Sequence, residues 1–378
     1  MTSDPPQEIL IVGLGAVGTI YGYILKNSTR VRVTIVARSN HAIVQANGVH
    51  IKSGKYGDMP GWKPHRLCKT VAEAADRAYA YVIVTTKAIP DIMRTPQLLA
   101  AILTPEYIEK YEQPVYVIMQ NGLNVEMDLF AALKALGKVP KILGSALYIN
   151  ANQLQGNVVE HSDFGWISLG IYREDHSVIE NSPEDEILLK GFADIVNAGG
   201  GIAKTWPSIQ RIRFTKNLWN LTFSSFCTLT GYPLPSLFRA PPKDGDTYEV
   251  YVSESTRDLI LEYTLPTIKA MMEEYVTLGH AMDLSEPGTG VTSDFVDYMI
   301  KETAAIHVKA DSTHLPSMLL DAENGRPMEL EVIIGEVVRM AKGAGVAVPR
   351  IEMMYAMLVV VQNQIVRKQE LETRAKQS

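Results

Sequence analysis

A short apolar run, Ile9-Leu10-Ile11-Val12, leads directly into Gly13-Leu14-Gly15-Ala16-Val17-Gly18 and then into a helical pattern carrying Tyr21 and Leu25. Each glycine has a physical task in a strand-turn-helix of this kind. Gly13 permits the tight turn, Gly15 lets a pyrophosphate approach the backbone, and Gly18 allows the helix to pack closely on the strand. The helix start adds N–H donors and positive dipole charge, so Gly13, Leu14, Gly15, Ala16, Val17 and Gly18 read as a dinucleotide cradle. Glycines at this spacing also serve ordinary turns. What gives the motif force is its place between the first strand and a second one about twenty residues on.

That second strand ends in Val36-Ala37-Arg38-Ser39-Asn40. An NAD-specific site carries Asp or Glu here for the ribose 2′-hydroxyl. Arg38 instead offers a guanidinium that pairs bidentately with a 2′-phosphate and stacks on adenine, which favours NADPH over NADH. The plain alternative is a solvated arginine in a strand-to-helix loop.

The first 170 residues of the 378 alternate short apolar runs with amphipathic stretches, the pattern of a parallel sheet with crossover helices. Strands are expected at 8–12, 31–37, 81–85, 115–119 and 141–149, and a hairpin at 158–162 and 166–171 about Asp163-Phe164-Gly165. From about Trp206 helical periodicity takes over, with helices expected at 328–342 and from 350 to about 367, loops at 233–246 and 284–290, and a fraying tail after Gln369. The expectation is an α/β N-terminal Rossmann domain with a mostly parallel sheet at 1–206, and an all-α C-terminal domain at 207–378.

Composition narrows the partners. The formal charge of −6 argues against a nonspecific nucleic-acid binder. No apolar run reaches the ~18 residues of a membrane helix. Cys68 and Cys227 are too few for a disulfide framework or a Cys-rich zinc site. They fit a reducing compartment, and the first ten residues lack signal- and transit-peptide character, so a cytoplasmic location is expected. His161 and His314 have no companions at metal-ligand spacing, and no metal is expected. Met271-Met272 and Met353-Met354 read as core filling.

Further clusters lie where such a fold places its ligand or in the helical half: Thr85-Thr86-Lys87-Ala88, Met119-Gln120-Asn121-Gly122-Leu123, Arg213 to Asn220, Ser317-Met318-Leu319-Leu320-Asp321, and Met328-Glu329-Leu330-Glu331. Their order resembles the ketopantoate reductase family (2-dehydropantoate 2-reductases) over roughly residues 8–365. The resemblance implies a Rossmann domain that binds NADPH, a helical domain that covers the nicotinamide, and a small-molecule 2-keto acid held between them. It implies Lys216 as general acid, Asn220 and Ser317 as substrate ligands, Glu329 as a second catalytic residue, and Lys87 and Asn121 near nicotinamide and substrate. A role in pantothenate biosynthesis and a homodimer formed through the helical half are further expectations.

Two departures from the family pattern bear on pocket shape. Ser224 stands where many members carry a second Asn, and His314-Leu315-Pro316 precedes Ser317 where a substrate-binding Asn can occur. The segment from Gly231 to Ser317 is also longer than in compact members.

Elementary chemistry agrees with the resemblance. Hydride addition to a 2-keto acid builds negative charge on the carbonyl oxygen, which needs a cation or proton donor. Lys216 supplies both, and its i, i+4 spacing from Asn220 puts the two on one helical face. Apolar neighbours would lower the lysine from its ~10.4 reference, and a carboxylate such as Glu329 would counter that.

Each residue also has an ordinary structural reading. Lys216 could be a snorkelling lysine, Glu329 a complement to the helix dipole, Ser317 a helix start, Asn121 a turn residue and Lys87 a strand-end charge. The leading expectation is NADPH-dependent reduction of 2-dehydropantoate to pantoate. The alternatives are another branched acid such as 2-ketoisovalerate, a catalytically silent NADPH-binding sensor, and an opine or 3-hydroxy-acid dehydrogenase.

Overall fold

The structure, a computed structural model, describes residues 6–377 apart from 155, 244, 246 and 285–290. Residues 1–5 of the ten read for targeting signals, and all but Leu284 of the expected 284–290 loop, thus lie outside the described residues, as do Asp244 and Asp246. The chain divides into two compact units, Met1–Ile212 and Arg213–Ser378.

The first unit is built on a ten-stranded sheet. Its strands are β1 (Gln7–Val12), β2 (Val31–Val36), β3 (Val49–Ser53), β4 (Gly57–Trp62), β5 (Arg66–Cys68), β6 (Tyr81–Val84), β7 (Val115–Ile118), β8 (Ile142–Gln153), β9 (Val158–Ile171) and β10 (Ala203–Thr205). The order is β4-β3-β9-β8-β7-β6-β1-β2-β5, with β10 paired to β9. The run from β8 through β5 is parallel throughout. These central strands are apolar runs because both of their faces are covered. Ile9 and Ile11 face a core shared with Ile20, Ile24 and Leu25 of the helix Ala16–Asn27 and with Phe192 and Val196 of the helix Pro183–Ala198.

The expected hairpin about Asp163-Phe164-Gly165 is not formed. Residues 158–171 make one continuous strand, β9, antiparallel to β8. Ile149 pairs with Gly165 and Ala151 with His161, so four residues on β9 are spanned by two on β8. Ser162, Asp163 and Phe164 therefore form a bulge with Gly165 paired at its edge, and the reversal lies between β8 and β9. Strand β8 reaches Gln153 and gives the whole segment a partner, which the local turn residues do not outweigh.

Four strands have no clear sequence signal. β5 and β10 have three residues each, and β4 contains Pro60 and a positive-φ Gly61, which suit only an edge. β3 alternates, with Val49, Ile51 and Ser53 buried, but is only five residues long.

The second unit has helices and no strand among its described residues. The helix Ile209–Trp219 passes into a π-helical turn, Asn220–Ser224, and then into Ser225–Thr230. A second π turn, Glu331–Gly335, leads into Glu336–Ala344, and the two wide turns pack against each other. The stretch expected to form a helix at 328–342 thus becomes helical at Leu330 and continues to Ala344. Around these elements stand Leu265–Ala281, Ser293–His307, Ser317–Glu323 and Pro349–Gln377.

The last of these runs beyond Gln369, where the tail was expected to fray. Gln369 Nε2 donates to the Gly325 carbonyl at 2.7 Å, and the Thr373 hydroxyl donates to the Gln369 carbonyl at 2.8 Å. The expected 233–246 loop contains a single helical turn, Pro235–Phe238. Met271, Met272 and Met354 are buried, whereas Met353 is 60% exposed and so does not fill core. Among the described residues no helix is long and apolar enough to cross a membrane, and no group of three or more His, Cys, Asp or Glu could hold a metal ion.

Candidate functional site

The sheet order changes direction at β1, whose neighbours are β2 on one side and β6 on the other. Such a switch leaves a crevice at the carboxyl ends of the strands. Gly13 sits there with φ +116°, and a Cβ on it would lie 2.9 Å from both Thr85 Oγ1 and Thr86 N. A Cβ on Gly18 would run into the Gly13 carbonyl and come within 2.7 Å of Thr85 Oγ1. Gly15 differs, because a Cβ there would meet only Gln153 Oε1 at 3.7 Å. Two glycines thus permit close packing, and at the middle one a Cβ would make only an ordinary contact.

The helix that follows has no side-chain cap and no acidic residue in its first turn. Its leading N–H donors and dipole are therefore available to an anion, so the loop fits the pyrophosphate of a dinucleotide. We expect Gly18→Ala to lower Tm and abolish dinucleotide binding, since the clash is with backbone. Gly15→Ala should leave Tm near wild type and weaken binding. Thermal melts and cofactor titrations read both outcomes.

Around the crevice, Arg38 follows β2, Lys87 follows β6 and Asn121 follows β7. The structure thus brings Gly13 to Gly18, Arg38, Lys87 and Asn121 to one end of four adjacent strands. Arg38 is exposed and, among the described residues, makes no hydrogen bond or ion pair. Lys87 is exposed, and Asn121 is half-buried before Gly122, whose φ is +94°.

Three residues to which the sequence reading gave no role bind these loops together. The Thr85 hydroxyl donates to the Gly13 carbonyl at 2.9 Å, Asn40 Nδ2 to the Leu14 carbonyl at 2.7 Å, and Gln120 Nε2 to the Thr86 carbonyl at 2.9 Å. Each lies within or beside a quoted motif, which was the available signal.

In the helical unit, Phe214, Leu218, Leu221 and Phe223, on the same helical stretch as Lys216, are fully buried. Burial drives the lysine pKa down, the Glu329 carboxylate opposes this, and Arg213 adds to it, leaving a value of about 8. Glu329, only 4% exposed, stands immediately before its helix rather than in the first turn, and its carbonyl accepts the Ile333 N–H at 3.1 Å. The other acid of that stretch, Glu331, is committed elsewhere. Its oxygens accept from the Tyr355 hydroxyl at 2.7 Å and from Arg339 at 2.8 Å. Glu329 is thus the carboxylate that acts on Lys216.

Asn220 is half-buried and opens the π turn, and among the described residues its side-chain amide has no hydrogen-bond partner. Ser317 is exposed as the first residue of its helix, whose cap position is held by Pro316 with no side-chain capping bond. That helix packs against the Asn220–Ser224 turn. Of the two departures, Ser224 is buried, and the His314 ring lies 6.1 Å from Trp219 with burial lowering its pKa. Asn217 and Gln362, to which the sequence reading gave no role, bond the backbone at Ile333 and Met328 on either side of Glu329 in sequence.

The arrangement offers a dinucleotide crevice in one unit and a half-buried, acid-assisted lysine in the other. Comparison with known proteins gives it a context. Residues 9–174 match the family model described as "Ketopantoate reductase PanE/ApbA", and 249–362 match its C-terminal counterpart. An uncharacterised Saccharomyces cerevisiae protein is 26% identical over 97% of this chain and 96% of its own length. The crystal structure of 2-dehydropantoate 2-reductase from Methylococcus capsulatus superposes with a TM-score of 0.71 at 24% identity, covering 95% of this chain and 97% of that one. A D-mandelate dehydrogenase structure with NADH and anilino(oxo)acetate gives 0.70 at 18% identity, covering 95% and 99%.

Proposed function

Since the chain belongs to the ketopantoate reductase family, whose members are NADP-dependent oxidoreductases, we propose that it reduces a 2-keto acid with NADPH, 2-dehydropantoate to pantoate being the first candidate reaction. The observation that carries this reading is the lysine. Lys216 lies in apolar surroundings with its pKa near 8, and a buried carboxylate acts on it. A donor of that pKa is still charged at neutral pH yet gives up its proton far more readily than a solvated lysine.

NADPH, when bound, supplies a hydride for the carbonyl carbon. The chain's own residues do the rest. Gly13, Gly15 and Gly18, with the helix start, hold the pyrophosphate, and Arg38 pairs with the 2′-phosphate. Lys87 and Asn121 border the nicotinamide and substrate. Asn220 and Ser317 hold the substrate carboxylate. Lys216 first attracts the carbonyl oxygen as a cation and then transfers its proton to the forming alkoxide, while Glu329 keeps it protonated until that moment.

Replacement of Arg38 by alanine should raise KM for NADPH by roughly tenfold, the worth of a charge-assisted pair, and narrow the preference over NADH. Parallel kinetics with both cofactors test this, and an unchanged ratio would remove Arg38 from the cofactor site.

A second reading keeps the chemistry and changes the acid. Ser224 and His314, which depart from the family pattern, motivate another branched 2-keto acid, and the D-mandelate dehydrogenase relative in structure adds an aryl one. The deciding experiment follows nicotinamide absorbance with 2-dehydropantoate, 2-ketoisovalerate and phenylglyoxylate, with NADPH and NADH in parallel. Preference for one acid assigns the substrate. Absence of turnover with NADPH bound would overturn the reading in favour of a cofactor sensor.

A further inference from the structure

Glu329 acts on Lys216 from a chain segment that has no regular structure of its own, so something else must fix its position. Two buried side chains hold the backbone before and after it in sequence. Gln362, on the helix Pro349–Gln377 and 6% exposed, accepts the Met328 N–H at Oε1 (2.9 Å) and donates from Nε2 to the Met328 carbonyl (3.2 Å). Both backbone groups of the residue before Glu329 are thereby held by one amide. After Glu329, Asn217 Nδ2 donates to the Ile333 carbonyl at 2.9 Å, inside the π turn that follows.

Asn217 directly follows Lys216 and is 2% exposed. The link from Asn217 to Ile333 therefore ties the lysine-bearing helix to the turn whose N–H at Ile333 is bonded to the Glu329 carbonyl. A π turn interrupts the regular hydrogen-bond ladder, and the asparagine amide enters it there. Asn217 Oδ1 has no hydrogen-bond partner among the described residues, so the amide's bond is the one from Nδ2 to the Ile333 carbonyl.

We propose that Gln362 and Asn217 are positioning residues that hold Glu329, from its two flanks, in register with Lys216. The inference rests on the proposed roles of Lys216 and Glu329 and adds what fixes their geometry. The charged groups that act on the lysine are Glu329 and Arg213, of opposite effect. Loosening the carboxylate should leave the arginine unopposed, and the lysine then loses its proton at lower pH.

The test uses Gln362→Met and Asn217→Leu, which keep volume and remove the hydrogen bonds, with thermal melts to establish folding and the second variant to serve if the first does not fold. Lysines are labelled by reductive methylation with carbon-13, the Lys216 signal is assigned by its loss in Lys216→Arg, and its titration is followed by NMR without substrate. The alkaline limb of kcat/KM is measured alongside.

The expected result is a lower titration midpoint, an alkaline limb moved the same way, kcat reduced about tenfold or more by the misplaced pair, and KM for NADPH within about twofold of wild type. A Lys216 midpoint unchanged in the folded variants would overturn the proposal. A lowered midpoint in a protein that reduces no keto acid would uphold it and overturn only the proposed reaction.

Discussion

Replacing Lys216 with alanine is expected to lower kcat by at least the ~10² typical of a lost general acid, while Tm and NADPH affinity stay close to wild type. The residue is half-buried among apolar side chains, so its removal takes away a desolvated charge rather than a packing element. Methylamine added to the alanine variant should restore part of the rate, because the missing function is a proton on a small cation. Retained activity would sink the assignment. The wild-type pH profile carries the same signature. The active form is the protonated one, so kcat/KM should be level below the lysine pKa of about 8 and fall about tenfold per pH unit above it.

Glu329→Gln should have the next largest effect, and it depends on pH. The carboxylate raises the lysine pKa, so its neutralisation moves the alkaline limb to lower pH. Near pH 8 the loss should reach roughly tenfold or more, and it should shrink as the pH is lowered and Lys216 is recharged by mass action. A loss of equal size at every pH would mean that Glu329 contacts substrate instead. An unchanged profile would remove it from the site.

Sequence and structure meet most closely where the physics is local. β1, β2, β6 and β7 are short apolar, β-branched runs that need both faces covered, and a sequence reader finds them within a residue or two. The glycine loop is legible for the same reason, since backbone torsion and close approach leave only glycine. β4 and β10 exist because neighbouring strands offer them hydrogen bonds, which no property of Asp58-Met59-Pro60 or Ala203-Lys204-Thr205 announces. Asp163-Phe164-Gly165 looks like a turn and lies at a bulge, because β8 extends further than its own pattern suggests.

In the candidate site the residues with chemistry at their tips were legible and the residues that aim them were not. Lys216 and Glu329 stand out by type and order. Gln362 lies 34 residues from the Met328 backbone that it holds, and a glutamine on a long amphipathic helix carries no local mark of that task. Asn217 was beside the lysine all along, but its bond to Ile333 spans 116 residues and depends on a π turn whose presence the apolar stripe of the 328–342 segment does not disclose.

The turn at Asn220–Ser224 alters how distance along this chain should be counted. A π turn is equivalent to one residue inserted into an α-helix, so every face beyond it is rotated by about 100° from where four-residue steps would put it. The residue bonded back to Asn220 is accordingly Ser225, whose hydroxyl donates to the Asn220 carbonyl at 3.3 Å. Deleting one residue from this turn would remove little in hydrogen bonding, yet it would swing Cys227 and Thr228 out of the interior and leave their neighbours a differently shaped surface to pack on.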